Sequence, residues 1–249
     1  MTKKYTRKYK VIIIALLIMF MNFQPVYGGV INMDINGSAA ETVEILVLLT
    51  VITLLPSILI MMTAFTRIII VLSFLKNALG LQQTPPNQVL IGIALFLTLF
   101  IMSPVINEIN SEAYEPYKNE EITQEEFYEK ASQPLKVWML KQTGRSELKM
   151  FVDMANNEEI KNAEGIDDLP LTVIIPSFVT SELKRAFIIG FLLFIPFLII
   201  DMIVSSVLMS MGMMMLPPVM ISMPFKILLF VVVDGWALLF KTLVTTFIF

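Results

Sequence analysis

Hydrophobic residues along this chain are gathered into long blocks that contain few polar positions. Four blocks lie beyond residue 40, and each has 20 residues or more. A helix needs about 20 mainly apolar residues to cross a bilayer, so the pattern predicts an all-α membrane protein with about four long hydrophobic helices. The last block exceeds a single crossing and is expected to be tilted, broken or extended beyond the lipid. The blocks are Val43 to Phe65, Asn87 to Ile106, Ala186 to Leu208 and Val219 to Phe249.

A shorter apolar run, Val11 to Phe20, follows a basic amino-terminal segment. Small residues come after it, with Val26 and Gly28 at the positions that a signal peptidase reads. This order predicts a cleavable signal peptide that ends near Gly28. An uncleaved short anchor is the alternative, and the shortness of the run favours cleavage. The basic residues are Lys3, Lys4, Arg7, Lys8 and Lys10.

Acidic residues concentrate between the second and third blocks. Residues 107–185 hold 16 of the 21 Asp and Glu residues against nine Lys and Arg, a local balance of −7. Thr123 and Glu126 have the spacing of a capping box, and Leu135, Trp138 and Met139 share one helical face. The chain is therefore divided into a signal peptide (1–28), an N-terminal segment with two hydrophobic helices and a cytoplasmic-side connection (29–106), an acidic external helical domain (107–185), and C-terminal hydrophobic helices with a methionine-rich turn (186–249).

Positive charges predict the orientation in the membrane. The connection from Thr66 to Pro86 carries Arg67 and Lys76 and no acidic residue. The positive-inside rule therefore places it in the cytoplasm, and a cleaved signal peptide would place the mature amino terminus outside. Together these arguments place the acidic domain outside.

Composition argues against most enzyme classes. The chain has no cysteine and no histidine, so thiolate chemistry and the commonest general base and metal ligand are missing. Neither a Gly-x-Ser-x-Gly elbow nor a glycine-rich phosphate loop occurs, and neither membrane aspartate lies in a Gly-x-Gly-Asp pattern. We expect no enzyme activity, no cofactor, no metal and no nucleic-acid partner.

Apart from Glu44 at the mouth of the first block, four ionisable residues lie inside the apolar blocks: Asp201, Lys226, Asp234 and Lys241. Such residues are costly in lipid and normally face protein or an aqueous path. Lys226 and Asp234 lie about 12 Å apart along a helix axis, so each is expected to find its partner on another helix or another subunit. Lys241 is expected to extend toward the lipid headgroups.

Methionine is concentrated around one interruption between hydrophobic blocks. Eight of the 18 methionines fall between Met202 and Met223. Gly212 and the pair Pro217-Pro218 are expected to break regular helix on either side of the methionine-rich turn, residues 211–218. Methionine is flexible and polarisable, so the turn would form a deformable apolar collar. Ordinary core packing is the alternative explanation.

Three sequence blocks carry a resemblance to a known family. Residues 65–92 read FTRIIIVLSFLKNALGLQQTPPNQVLIG, residues 176–191 read PSFVTSELKRAFIIGF, and residues 224–236 begin with Pro-Phe-Lys and end with Asp-Gly-Trp. With the string MGMMMLPP, these blocks resemble the FliP family of flagellar export-gate proteins. Ile188 and Ser177 are small departures from the family pattern, and the acidic domain matches only in length and position.

The resemblance implies a non-enzymatic pore component of the bacterial cytoplasmic membrane and the flagellar basal body. In that family, five FliP-like subunits pack their helical hairpins into a ring, together with the partners FliQ and FliR. Unfolded flagellar proteins pass through this ring. It implies that Met213, Met214 and Met215 act as a gasket around the passing polypeptide. It also implies buried or inter-subunit polar contacts for Lys226, Asp234, Asp201 and Arg67.

Three alternatives remain from the sequence. An injectisome gate subunit shares much of the pattern, although the methionine string and the cleavable leader favour the flagellar member. A small-solute transporter or ion channel would be expected to show inverted repeats, and none is visible. An intramembrane enzyme lacks its catalytic motifs.

Overall fold

The computed structural model describes residues 46, 49–50, 52–54, 57–58, 60–155, 160, 169–213 and 216–248. The expected signal peptide, parts of the first hydrophobic block, and Met214 and Met215 lie outside the described residues. The chain divides into two units, residues 1–53 and 54–249. In the first unit, the described residues are helical, and the hydroxyl of Thr50 donates to the carbonyl of Leu46.

Every regular element described in the second unit is helical. Eight α-helices follow in chain order, and α2 continues through one π-helical turn, Asn110–Tyr114, into α3. The predicted all-α architecture is therefore confirmed for this part of the chain. The helices are α1 Phe65–Ala78, α2 Asn87–Ile109, α3 Glu115–Lys118, α4 Gln124–Gln142, α5 Arg145–Met154, α6 Leu171–Ser210, α7 Pro218–Val232 and α8 Gly235–Thr245.

Two of the described helices are long and apolar enough to cross a membrane. One is the continuous run Asn87–Lys118 of 32 residues, and the other is α6 with 40 residues. Helices α7 and α8, with 15 and 11 residues, are too short on their own and pass the same test only as a pair, which bends by 66° at the break between them. The last hydrophobic block is thus broken, which is one of the forms predicted for it, and the protein is a helical membrane protein.

Helix α1 was expected to be part of a connection, and the structure instead places it in the hydrophobic core. Ile68, Val71, Leu72 and Leu75 are at most 1% exposed and form one helical face against α6 and α2. Residues 65–78 contain neither glycine nor proline, so nothing in their backbone chemistry ends a helix. The two positive charges that suggested a connection do not interrupt it.

Helix α6 crosses the predicted boundary between residues 185 and 186 without a break. Pro176 and Pro196 lie inside it, and the backbone stays helical at both. Its approach to α1 is close at Gly190, where an added Cβ would lie 2.5 Å from the ring of Phe74. Glycine is the residue that allows this contact, because any side chain there would overlap the ring.

Helices α4 and α5 come from the acidic region and pack on α6. The predicted capping box is confirmed, since the Thr123 hydroxyl accepts from the Glu126 amide and the Glu126 carboxylate accepts from the Thr123 amide. At the turn into α5, the Gly144 amide donates to the Ser181 hydroxyl over 2.9 Å. Lys184 donates to Glu147 at 2.7 Å and, with Ser146, holds the pKa of that carboxyl at about 2.

Candidate functional site

The methionine-rich turn begins with a helix-ending motif at the carboxyl end of α6. Gly212 has a φ of +74°, its amide donates to the carbonyl of Met209, and the Met213 amide donates to the carbonyl of Leu208. This pair of bonds is the Schellman motif, which needs a left-handed residue and therefore favours glycine. Pro218 is the first residue of α7 and Pro217 precedes it in extended conformation. The predicted breaks on both sides of the turn are confirmed.

Apolar side chains around this turn face outward from the chain. Met213 is 43% exposed and Met220 is 66% exposed, and Met209, Met211 and Leu216 are also exposed. Core packing within this chain was the alternative explanation for the methionine cluster. It does not account for these methionines, because their side chains are exposed. A contiguous exposed apolar surface of this kind marks a contact with lipid, with another protein chain or with a passing ligand.

Lys226 and Asp201 form a partly buried ion pair about two helical turns away from the methionine-rich turn. The Lys226 ammonium is 2.6 Å from Asp201 Oδ2, and the side chain of Lys226 is only 2% exposed. The Ser222 hydroxyl, one turn earlier on α7, donates to the other oxygen of the same carboxylate. The sequence expectation left the partners of these residues open, and the structure joins Lys226 to Asp201 within one chain. This pair ties α7 to α6 on the two sides of the methionine-rich turn.

The same lysine also holds the carboxyl end of α1. Lys226 donates to the carbonyl of Ala78 at 3.0 Å, which is one of the last carbonyls of that helix. A cation is favourable at a helix carboxyl end because the unpaired carbonyls carry partial negative charge. Helix α1 ends in a second Schellman motif, with Gly80 at a φ of +75° and the Leu81 amide donating to the Lys76 carbonyl. Three helices therefore meet at the ammonium group of Lys226.

Arg67 and Glu182 form a second ion pair, which is completely buried. Both side chains are 0% exposed, and Arg67 Nε donates to Glu182 Oε2 at 2.8 Å. Arg67 Nη2 donates to Glu182 Oε1. The third guanidinium nitrogen, Nη1, donates to the carbonyl and the hydroxyl of Thr246, each at 3.0 Å. Arg67 was one of two charges used to place residues 66–86 in the cytoplasm. Because its charge is neutralised inside the protein, it does not report on a cytoplasmic loop, and that orientation argument loses half of its support.

Asp234 and Lys241 are both exposed in the described chain. Asp234 lies at the break between α7 and α8 with a φ of +50°, a left-handed conformation that aspartate tolerates better than most residues. Its backbone amide and carbonyl are both bonded, and no side-chain partner occurs for it among the described residues. The structure therefore brings Asp201 and Lys226 together and leaves Asp234 apart.

Sequence reasoning missed three participants in these networks. Glu182 was counted with the acidic domain, Ser222 is a neutral residue in an apolar block, and Thr246 lies just after α8. A signal for Glu182 was present, since it stands only four positions before the apolar block that begins at Ala186. Among the described residues, no group of histidine, cysteine, aspartate or glutamate could hold a metal ion.

Comparison with known proteins identifies the family. The model of the FliP family matches residues 48–243. The Flagellar biosynthetic protein FliP of Bacillus subtilis is 57% identical over 210 residues, which are 84% of this chain and 94% of the relative. The protein of the same name in Pectobacterium carotovorum is 51% identical and covers 94% of this chain and 91% of its own length. That of Aquifex aeolicus is 45% identical, with 94% of this chain and 98% of the relative covered. The chain belongs to the FliP family.

Proposed function

We propose that this protein is a membrane subunit of the flagellar type III export gate. It assembles with other copies of itself and with FliQ and FliR into a ring, and the resemblance to the family implies five copies. The ring lies in the bacterial cytoplasmic membrane, at the flagellar basal body. Unfolded flagellar proteins cross the membrane through this ring. The relatives are named as flagellar biosynthetic proteins, and the described helices include two that are long and apolar enough to cross a membrane.

The observation that carries the proposal is the exposed methionine-rich turn between α6 and α7. A gate must exclude water and ions at rest, and an apolar constriction does so because water leaves a narrow apolar opening. It must also accept side chains of every kind, which favours flexible methionine over stiff β-branched residues. We assign the gasket to Met213, Met214 and Met215, of which the described Met213 is 43% exposed.

The rigid support behind the turn agrees with this role. Helix α6 ends at Ser210 and α7 begins at Pro218, so the segment between them is short. The Lys226–Asp201 pair joins the two helices about two helical turns away from that segment. The methionine-rich turn can then change shape, while α6 and α7 stay fixed to each other and the proposed ring keeps its diameter.

The partners are tested by purification from native membranes. The chain carries an affinity tag on the acidic region, for example in the exposed turn between α3 and α4, and the complex is extracted in mild detergent. We expect FliQ and FliR to copurify, with this chain in several copies in native mass spectrometry. A monomer, or a complex with neither protein in a flagellated host, would contradict the proposal. Copurification of virulence-system counterparts instead would assign the chain to an injectisome.

A further inference from the structure

The residues after α8 leave the helix and return to the protein core. Helix α8 ends at Thr245, and the next residues, 246–248, are not helical. Phe247 is nevertheless only 4% exposed, while its neighbour Ile248 is 52% exposed. We call residues 246–248 the strap. The strap is held through its backbone, the Thr246 hydroxyl and one aromatic side chain rather than through helix packing.

The backbone of the strap is bound by a buried amide. Gln142, at the end of α4, is 0% exposed, and its Nε2 donates to the carbonyl of Ile248 at 2.7 Å. The Ile248 amide donates back to Gln142 Oε1 at 3.3 Å. A side-chain amide that bonds both groups of one residue imitates a neighbouring β-strand. It therefore fixes the direction of the strap without contacting the exposed side chain of Ile248.

Phe247 enters an aromatic site whose floor is the Arg67 guanidinium. The Arg67 Cζ atom lies 3.8 Å from the centre of the Phe247 ring, in cation–π geometry. On another side, Phe247 stacks on Trp138 with an interplanar angle of 17°, and Trp138 in turn packs on Phe178 of α6. One residue earlier, Thr246 accepts both bonds from the third nitrogen of Arg67.

The strap joins helices that are distant in the sequence. Its partners are Arg67 on α1, Gln142 and Trp138 on α4, and, through Arg67, Glu182 on α6. If the strap left, the Gln142 amide and the third nitrogen of Arg67 would lose their partners. A buried donor or acceptor left unpaired costs more than the bond itself contributes, so the partly released state is unfavourable. All three residues of the strap are expected to bind or release together.

We propose that residues 246–248 are a closing strap, a two-state latch that locks α8 and α4 over the buried Arg67–Glu182 pair. Helix α8 follows α7, and α4 belongs to the acidic region. The strap therefore couples the position of α8 to that of the acidic region. This coupling rests on the described geometry of one chain and does not depend on the proposed export function.

Trp138 offers a direct readout of the strap. The chain has two tryptophans, so replacing Trp236 by phenylalanine leaves Trp138 as the sole reporter in the full chain purified in detergent. Trp138 is 4% exposed and stacks against Phe247, so we expect a collisional quencher such as acrylamide to reach it more readily when the strap opens. In this background, Ile248→Pro removes the amide that donates to Gln142, while Ile248→Ala keeps it and serves as the matched control.

We expect the quenching of Trp138 to increase about fivefold in Ile248→Pro, which corresponds to the loss of one hydrogen bond of ~1 kcal/mol. Phe247→Ala should raise it further, and Ile248→Ala should match the parent. In a Gln142→Leu background, Ile248→Pro should add nothing, because its partner is already gone. Quenching that stays at the parent value in both Ile248→Pro and Phe247→Ala would overturn the proposal. Equal effects of Ile248→Pro with and without Gln142 would overturn it too, as would loss of total helix content in all strap variants.

Discussion

At the scale of single residues, Lys226 joins α7 to the two helices α6 and α1 behind the methionine-rich turn. Its ammonium contacts the Asp201 carboxylate and the last turn of α1, and its side chain is 2% exposed. A buried pair adds little net stability compared with apolar residues of similar size, because both charges lose their water. Removing only one partner is different, since it leaves the other charge without compensation.

Lys226→Met should therefore destabilise the protein by about 3–5 kcal/mol, the usual cost of a broken buried pair. The double variant Lys226→Met with Asp201→Asn should recover part of that loss, because no uncompensated charge remains. Thermal unfolding followed by circular dichroism in detergent measures both. Lys241→Met, at an exposed position, is the matched control and should leave the midpoint unchanged. A single variant as stable as the parent would show that the pair does not brace these helices.

At the scale of helices, the contact between α1 and α6 depends on one glycine. A Cβ at Gly190 would lie 2.5 Å from two ring atoms of Phe74 and 3.0 Å from its Cβ. The nearest atoms include the root of the side chain, so rotating the ring does not relieve the overlap. The two helices would have to move apart.

Gly190→Ala should cost about 1–3 kcal/mol, as expected for an overpacked core. Gly92→Ala is the control in the opposite sense, because nothing lies within 4 Å of a Cβ added there. That variant should gain up to ~1 kcal/mol from the better helix propensity of alanine. Comparing the two melting temperatures in the same detergent tests the packing directly. The account of the helix contact fails if both variants shift stability in the same direction.

Local features of these helices could be predicted from sequence, and their partners could not. The capping box at Thr123 and the breaks at Gly212 and Pro217 depend on neighbouring residues, so their chemistry is visible in the sequence itself. Lys226 and Asp201 are 25 positions apart, and Arg67 and Glu182 are 115 apart. Such pairs are decided by how helices cross. Arg67 was also misinterpreted, because a positive charge next to an apolar block looks the same whether it faces the cytoplasm or a buried glutamate.

At the scale of the whole molecule, the chain leaves many apolar side chains exposed. Along α6 these include Phe187, Phe191 and Ile199, and along α7 they include Leu228 and Val232, each more than 50% exposed. Lipid and neighbouring subunits are the two environments that would cover them. Asp234 lies at the end of α7 within this surface. A charged group there requires a polar partner once the surface is covered.

Asp234→Asn should weaken the assembly of the proposed ring, because the inter-subunit contact expected for Asp234 needs the charge. Asparagine keeps the shape and tolerates the left-handed backbone of this position, so the fold of the single chain is preserved. Native gel electrophoresis of the membrane complex should show a loss of the full-size band. Asp153→Asn, at an exposed position of α5, is the control. A full-size complex in Asp234→Asn would exclude an assembly role for this carboxylate.

Ion conductance of the assembled complex tests the central claim most directly. The claim is that the methionine-rich turn seals the gate at rest. Replacing Met213, Met214 and Met215 by alanine widens the constriction and removes flexible apolar volume, while replacing the exposed Met154 by alanine is a control outside the turn. In lipid bilayers, the intact complex and the Met154 variant should stay closed, and the triple variant should conduct ions at full complex size. A correctly assembled triple variant with unchanged conductance would contradict the account.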